Sequence, residues 1–360
     1  MATNLNRIRK LYVSADSKES TYGTAVATDS MLKVDAGVIT NREVGVVSNN
    51  DLVGGTEEPT EQFLTNKSVA LPIAQARVKP HTLATIAAYA LGKHVTSQAG
   101  GATNARKHQF TTSGAPDVTL PSFTAEGVLK SGLIQVYPGM FVDSFNFSVN
   151  RGANQFASLT STCYGCGTVS SGSENNRSEI DEDPISGGTA GIAIGTGVYD
   201  GATEDTNDDV ASFDIASATD ITGQVTSFEY AYANNVDRDF LYQIGGGEVY
   251  NIAEKTARSQ TVTITKLWQD DTYRTGLYNQ TTYSLQARFK GADIDAGYPY
   301  GCCFTIPKAV LQSADVSDDG GRLVETLTFL PLWDATTSGT PNPFGSVIID
   351  VFNAQTAYAA

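Results

Sequence analysis

The sequence predicts a mainly β fold, a β-sandwich or barrel-like arrangement with one flanking α-helix and long loops. Three observations lead there. Val142-Asp143-Ser144-Phe145-Asn146-Phe147-Ser148-Val149-Asn150 is echoed by Val225-Thr226-Ser227-Phe228-Glu229-Tyr230-Ala231-Tyr232-Ala233. In both runs apolar side chains alternate with small or polar ones from the Ser-Phe pair onward, which is the period of a strand with one buried face. Each run leads into a second strand-like segment, 155–162 and 259–268, so the chain reads as paired β-units. Finally, the 34 glycines are spread through Ser/Thr/Asn/Asp-rich connections, the punctuation of a turn-rich β protein.

Taken in order, residues 1–30 read as an extended arm, with Arg7, Arg9 and Lys10 followed by the turn-prone Glu19 to Thr24. Residues 34–56 alternate weakly and run into Asn49-Asn50-Asp51 and Gly54-Gly55, which predicts a strand and a long polar excursion. A helix is predicted from Pro80, whose fixed φ suits a first turn, to Gly92 at its C-terminus. Leu83, Ile86, Ala87, Ala90 and Leu91 fall on one face of it, a core-packing stripe.

Strands follow around 122–126, 133–136, 141–150 and 155–163. The stretch 170–218 is poor in bulky residues and reads as an insertion or linker. Strands resume at 225–233, 260–268, 283–290, 303–307, 323–330 and 346–352. The expected organisation is an arm (1–30), a first β half-unit (31–170) with a polar loop at 42–60 and the helix at 80–91, an acidic insertion or linker (171–220), and a second β half-unit (221–360).

The formal charge is -15, which argues against a surface built to grip phosphates. Residues 171–220 concentrate 12 acids against one base, as solvated loops do; an acidic surface also repels DNA. No run approaches the roughly 20 apolar residues of a membrane span, and Met1 to Val13 has no apolar core behind its basic residues, so a soluble, initially cytoplasmic protein is expected, with no membrane insertion.

Cys163-x-x-Cys166 has half-site zinc spacing, but Cys302 and Cys303, adjacent on a strand, point to opposite faces. Three histidines, His81, His94 and His108, come without a nucleophile elbow. Asp205-Thr206-Asn207-Asp208-Asp209 starts like a calcium loop, yet Val210 stands at the turn glycine position and Ala216 at the closing glutamate. The acid groups Asp181-Glu182-Asp183 and Asp318-Asp319 lie in hydrophilic, turn-like settings that would not raise a pKa. No catalytic residue, cofactor or metal site is assigned.

Several short segments recur in a known order: Glu19-Ser20-Thr21-Tyr22-Gly23-Thr24; the helix 80–92 behind a polar loop; Pro121-Ser122-Phe123-Thr124; and Tyr137-Pro138-Gly139-Met140 running into 142–149. Ile306-Pro307-Lys308-Ala309-Val310, Gly320-Gly321-Arg322-Leu323-Val324-Glu325 and a last strand with Asn353 complete the set. In that order and spacing, over most of its length, the chain resembles the tail tube (major tail) proteins of tailed bacteriophages.

The resemblance implies a structural, self-assembling protein of the virion tail, assembled in the bacterial host cytoplasm. Its rings, typically hexameric, would stack into a hollow tube, with strands joined across subunits into an inner barrel that DNA traverses, without sticking, during ejection. Its partners would be ring neighbours, stacked rings and other tail proteins at the tube ends. The resemblance also makes 42–60 the ring-stacking loop, with Arg42, Glu43, Asp51, Glu57 and Glu58, and gives the arm further stacking contacts. Ser144, Asn146, Ser148, Asn150, Gln286 and Arg288 are candidates for the lumen. Two duplicated units in one chain would let three subunits close the ring. The alternatives are a calcium-dependent β-sandwich adhesin or lectin, or another ring of the same tail, a terminator or sheath component.

Overall fold

The computed structural model describes residues 10–35, 40–48, 61–98, 104–112, 119–130, 133–152, 155–173, 177–196, 199, 213–215, 217–244, 249–295, 297–335 and 344–359. In chain order the elements are β1 (Lys10–Val13), β2 (Ser30–Leu32), β3 (Asn41–Ser48), β4 (Gln62–Gln75), α1 (Pro80–Leu91), β5 (Gly92–Gln98), β6 (Arg106–Thr112), β7 (Phe123–Lys130), β8 (Leu133–Asn150), β9 (Ser158–Gly165) and β10 (Ser170–Ser171). They continue with β11 (Ala190–Gly195), β12 (Ala218–Asp220), β13 (Val225–Ala233), β14 (Ser259–Leu267), α2 (Thr272–Tyr278), β15 (Thr282–Asp295), β16 (Tyr298–Asp319), β17 (Arg322–Pro331) and β18 (Ile348–Asn353). All ladders between strands are antiparallel, and among the described residues they do not close into a barrel.

Two strands, β8 and β16, are long enough to serve two sheets each. The first half of β8 lies in a small sheet ordered β2-β1-β7-β8-β10. Its second half joins a large sheet ordered β3-β4-β9-β8-β13-β14-β17-β16. The first half of β16 lies in a third sheet ordered β12-β11-β15-β16-β18-β6-β5.

The large and third sheets pack face to face because each presents its alternate apolar residues to the other. Phe147 lies with its ring 4.7 Å from Phe304 and 5.5 Å from Phe289, and Tyr230 stands 5.4 Å from Phe304. α1 begins at Pro80 and ends where Gly92, at φ 81, turns its N–H back to the Ala88 carbonyl. All twelve of its residues are buried, not only the predicted stripe, because it packs among β5, β6, β8 and β18. Ala, Thr and Leu supply the small, apolar surface such a position needs.

One regularity runs through these pairings. The small-sheet set β2-β1-β7-β8-β10 is repeated as β12-β11-β15-β16-β18, and β3-β4-β9-β8 is repeated as β13-β14-β17-β16. α1 follows β4 as α2 follows β14. Even the irregularities recur: β8 bulges between Val142 and Ser144 against β9, and β16 bulges between Leu311 and Ser313 against β17. The β5–β6 hairpin has no counterpart among the described residues.

The structure differs from the sequence reading in five places. The echoed strands, β8 and β13, are neighbours in one sheet, with Tyr230 opposite Phe147; the pairings relate β8 to β16 instead. A similar alternation reflects a similar two-faced setting, not equivalent places. The arm contains β1 and β2, and Glu19 anchors its turn by accepting from Gly23 N, Gly139 N, Ser122 and Thr124. The stretch 171–220 contributes β11, whose Ile192 and Ile194 are core residues. α2 was not predicted, since seven residues hold too little periodicity to register. The strand expected within 34–56 is β3, and it takes in residues 42–48 of the expected loop 42–60, paired with β4.

Candidate functional site: a hydroxyl-lined sheet face and two free strand edges

Alternation makes the large sheet two-faced. Phe145, Phe147, Phe228, Tyr230, Tyr232, Val262, Ile264, Leu327 and Phe329 turn into the core. The intervening positions turn away from it: Ala70, Pro72 and Ala74 on β4; Ser158, Thr160 and Thr162 on β9; Ser144, Asn146, Ser148 and Asn150 on β8; Ser227, Glu229, Ala231 and Ala233 on β13. Ser259, Thr261, Thr263 and Thr265 on β14, Thr326 and Thr328 on β17, and Ser313, Asp315 and Ser317 on β16 continue the carpet. β-branched threonine suits a pleated surface and its hydroxyl suits water, which is why a strand can present it outward.

Pro72, Ser144, Asn146, Thr160, Ala231 and Thr261 border an open depression of about 400 Å³ on this face. The positions named above include two carboxylates, Glu229 and Asp315, and neither Lys nor Arg. Asn146 donates to Glu229 at 2.5 Å, and the Ser148 and Ser158 hydroxyls bond at 2.8 Å. Four of the six residues predicted from sequence, Ser144, Asn146, Ser148 and Asn150, are therefore brought together here.

Gln286 and Arg288 are placed elsewhere, in β15 of the third sheet. Asp214 covers them: Arg288 Nη2 donates to its Oδ2 at 2.6 Å, and Gln286 Nε2 donates to the same oxygen at 3.3 Å and to Thr305 at 3.1 Å. All three side chains are buried. Alternation identified their shared face but carried no information on the acid-rich segment that seals it. Buried carboxylate and guanidinium compensate each other, so this ion pair belongs to the interior.

The large sheet ends at β3 on one side and at the second half of β16 on the other, and each presents an outer edge without a strand partner among the described residues. Arg42 and Glu43 lie on β3. Glu43 accepts from Ser68 at 3.0 Å and from Arg238, whose guanidinium lies 4.4 Å from the Tyr164 ring centre and donates to Tyr250 at 3.0 Å. Beyond them, Val44, Val46, Val47 and Phe63 are about half exposed on the β3–β4 hairpin. Asp51, Glu57 and Glu58 lie outside the described residues, as does the 205–209 segment.

The remaining chemistry-bearing residues serve packing. His94 and His108 stack at 5.5 Å, with Tyr358 edge-on to His108, and burial lowers both imidazoles to about 4. His81 is lowered to about 3 by burial and bonds Tyr358 at 2.8 Å. Glu182 overturns the expectation for its acid group: it is buried at the start of α1, accepts from His81 N at 2.7 Å, and burial raises it to about 7. All four cysteines are buried thiols. Among the described residues no group of three or more His, Cys, Asp or Glu is arranged to hold a metal, and no helix is long and apolar enough to cross a membrane.

A family model described as phage tail tube protein matches residues 9–330. No curated protein matches the chain.

Proposed function

Because the chain belongs to the phage tail tube protein family, a family of structural, not enzymatic, virion tail proteins, we propose that its copies form stacked rings around a lumen through which genomic DNA passes during ejection. The observation that carries this reading is the polar outward face of the large sheet. Its central strands β9, β8, β13 and β14 offer hydroxyls, small side chains and the Glu229 carboxylate, while Arg238 lies over the β3 end, paired with Glu43. A polyanion held by Lys and Arg would be retained by counterion release, whereas central strands without cations let it slide. Ser144, Asn146, Ser148 and Asn150 line the bore in this reading. Gln286 and Arg288 do not, being sealed within the subunit by Asp214.

Rings stack through the β3–β4 hairpin. Its exposed Val44 and Val46 stand on one face and the paired Val47 and Phe63 on the other, exposed apolar side chains of the kind that a partner covers; the partner is a copy in the adjacent ring. Arg42 and Glu43 stand at the start of β3, inside the predicted stacking segment 42–60. The two half-units meet at β8 and β13. Assembly takes place in the host cytoplasm, and other tail proteins bind the tube ends.

Cryo-electron microscopy of the concentrated protein, or of tails containing it, tests the reading. Tubes whose bore is lined by β8, β13 and β14 are expected. A tube with this face outward, or a protein that stays monomeric at high concentration, overturns it.

A further inference from the structure

We propose that the segment following β18, residues 354–359, is an acid-released clasp: the three histidines of the chain hold it in a slot while they are neutral, and it leaves that slot, with the sheets still folded, once His94 and His108 both carry protons. His81 on α1, His94 on β5 and His108 on β6 are separated in sequence, yet all three rings meet Tyr358, with centre separations of 5.5, 6.1 and 4.7 Å. Phe110, 4.7 Å from His94 and 6.0 Å from Tyr358, completes the slot. The Tyr358 hydroxyl accepts from Asn353 at 2.6 Å and bonds His81 Nδ1 at 2.8 Å, and His108 Nε2 donates to the Gln355 carbonyl at 3.0 Å. One residue further, Ala359 N donates to the Ala15 carbonyl at 2.7 Å, beside Ser14, whose carbonyl accepts from Tyr89 of α1 at 2.5 Å. The clasp thus ties β18 and α1 to the arm. Tyr358 and Ala359 are buried while Ala354, Thr356 and Ala357 are exposed, and none of them lies in a strand, so the segment can leave without opening a ladder.

The hydrogen bonds limit how many protons the slot can hold. His108 donates through Nε2, so its neutral Nδ1 is an acceptor. His94 Nε2 lies 3.3 Å from that Nδ1, and the Thr96 hydroxyl is 2.8 Å from the first nitrogen and 3.0 Å from the second. One extra proton fits as an N–H···N contact. A second sets two N–H donors head to head around a single hydroxyl and places two like charges in a buried slot. Burial accordingly lowers His94 and His108 to about 4 and His81 to about 3, against the ordinary 6.5; the Tyr358 and Gln355 carbonyls pull His94 and His108 the other way without outweighing it.

The surrounding charges do not offset those protons. Lys79, paired with Glu179 at 2.6 Å, and Arg106 on β6 add positive potential at His81 and His108. Lys93 and Lys107 alternate with His94 and His108 along β5 and β6 and so face the other side of the sheet, where Lys107 meets Asp350 of β18 at 3.4 Å. Glu182, which accepts from His81 N, and Asp16 of the arm are carboxylates whose charge reaches Tyr358. Burial raises them to about 7 and about 6, Asp16 with help from Asp29, so both are neutralised before the imidazoles charge. A histidine pKa below its ordinary value means that the docked state prefers the neutral ring. That contribution is complete above pH 6.5 and is lost as pH falls toward 4. Each imidazole relieved of burial shifts the clasp about 20-fold toward release between pH 7 and pH 5.

Hydrogen exchange of the full-length protein, read by mass spectrometry on a peptide covering 354–359 and corrected for the intrinsic pH dependence of exchange, tests the clasp. Protection of this peptide is expected to fall by at least about tenfold from pH 7 to pH 5 while β8 and β13 keep theirs. His94→Gln/His108→Gln, whose amides stay neutral, is expected to hold the peptide equally at both pH values. If that double variant does not fold, His94→Gln alone is expected to move the loss to lower pH, because one of the two titrating rings is gone. Tyr358→Ala, which empties the slot, is expected to leave the peptide unprotected at both. Wild-type protection that is unchanged at pH 5, a loss that persists unaltered in the histidine variants, or a loss shared with β8 and β13 overturns the proposal.

Discussion

Lys266 and Glu325 face each other across β14 and β17 with 3.2 Å between Nζ and Oε2, and both side chains are buried. Tyr273 of α2 covers the ammonium, its ring centre 4.9 Å away. In the first repeat the corresponding places are held by Gln75 and Leu159, a neutral pair on β4 and β9. The fold therefore tolerates two solutions at one position. Lys266→Met is expected to cost about 3–5 kcal/mol by stranding a buried carboxylate. Lys266→Gln/Glu325→Leu, which copies the first repeat, should recover most of that loss. Urea unfolding of both variants decides, and a double variant no better than the single would show that the pair itself stabilises the fold.

Glu182 makes stability depend on pH. Its folded pKa of about 7 exceeds the ordinary 4.5, chiefly through burial, so the folded state prefers the protonated acid. The stabilisation is complete below pH 4.5 and is lost as pH rises through 7, amounting to about 3 kcal/mol. Glu182→Gln keeps an acceptor for His81 N and should flatten this part of the profile. Melting temperatures of both proteins at pH 5 and pH 8 measure the difference.

Phe304 joins the two packed sheets, touching Phe147, Phe228 and Tyr230 with ring separations of 4.7, 5.8 and 5.4 Å. Phe304→Ala should cost about 3–5 kcal/mol by opening a cavity between them. Phe304→Leu, which keeps most of the volume, should cost less than half as much by chemical denaturation.

Cations on the outward face should change how DNA meets the tube. Thr160→Lys/Thr261→Lys leaves the core side of both strands untouched, and the assembled variant is expected to retain duplex DNA in a salt-dependent manner where the wild type does not. Fluorescence anisotropy with labelled duplex at 50 and 200 mM salt reads this out. Equal binding by both proteins would place the face outside the path of DNA.

Charging the hairpin should separate ring formation from stacking. Val46→Asp/Phe63→Asp alters two exposed side chains, so melting should move little. Rings should persist in negative stain while long tubes disappear. Full-length tubes from this variant, which charges both faces of the hairpin, would show that the hairpin is not the stacking contact.

Much of the fold was legible because its signals are local. The period-two runs at 141–150 and 225–233 became β8 and β13, and Pro80 and Gly92 bounded α1 through their own backbone preferences. Ser144, Asn146, Ser148 and Asn150 were recognisable as one face for the same reason. Gln286 and Arg288 were not distinguishable from them by alternation, since nothing in β15 says that Asp214 lies on top. The acid-rich stretch read as a solvated insertion because charge is a poor guide once a partner is buried with it. Glu182 beside the α1 terminus and Asp214 beside Arg288 are two such acids.

The sequence by itself determined the β class, the helix, the two-faced strands and the resemblance to tail tube proteins, all carried by residue patterns a few positions long. The tertiary structure alone decided that β8 pairs with β13 while corresponding to β16, that β3 and β16 end the large sheet among the described residues, and which polar face is sealed. Those are matters of long-range pairing: an alternating strand satisfies its own burial beside any complementary neighbour, and only the assembled ladder fixes which neighbour it has and which edge it leaves for another chain.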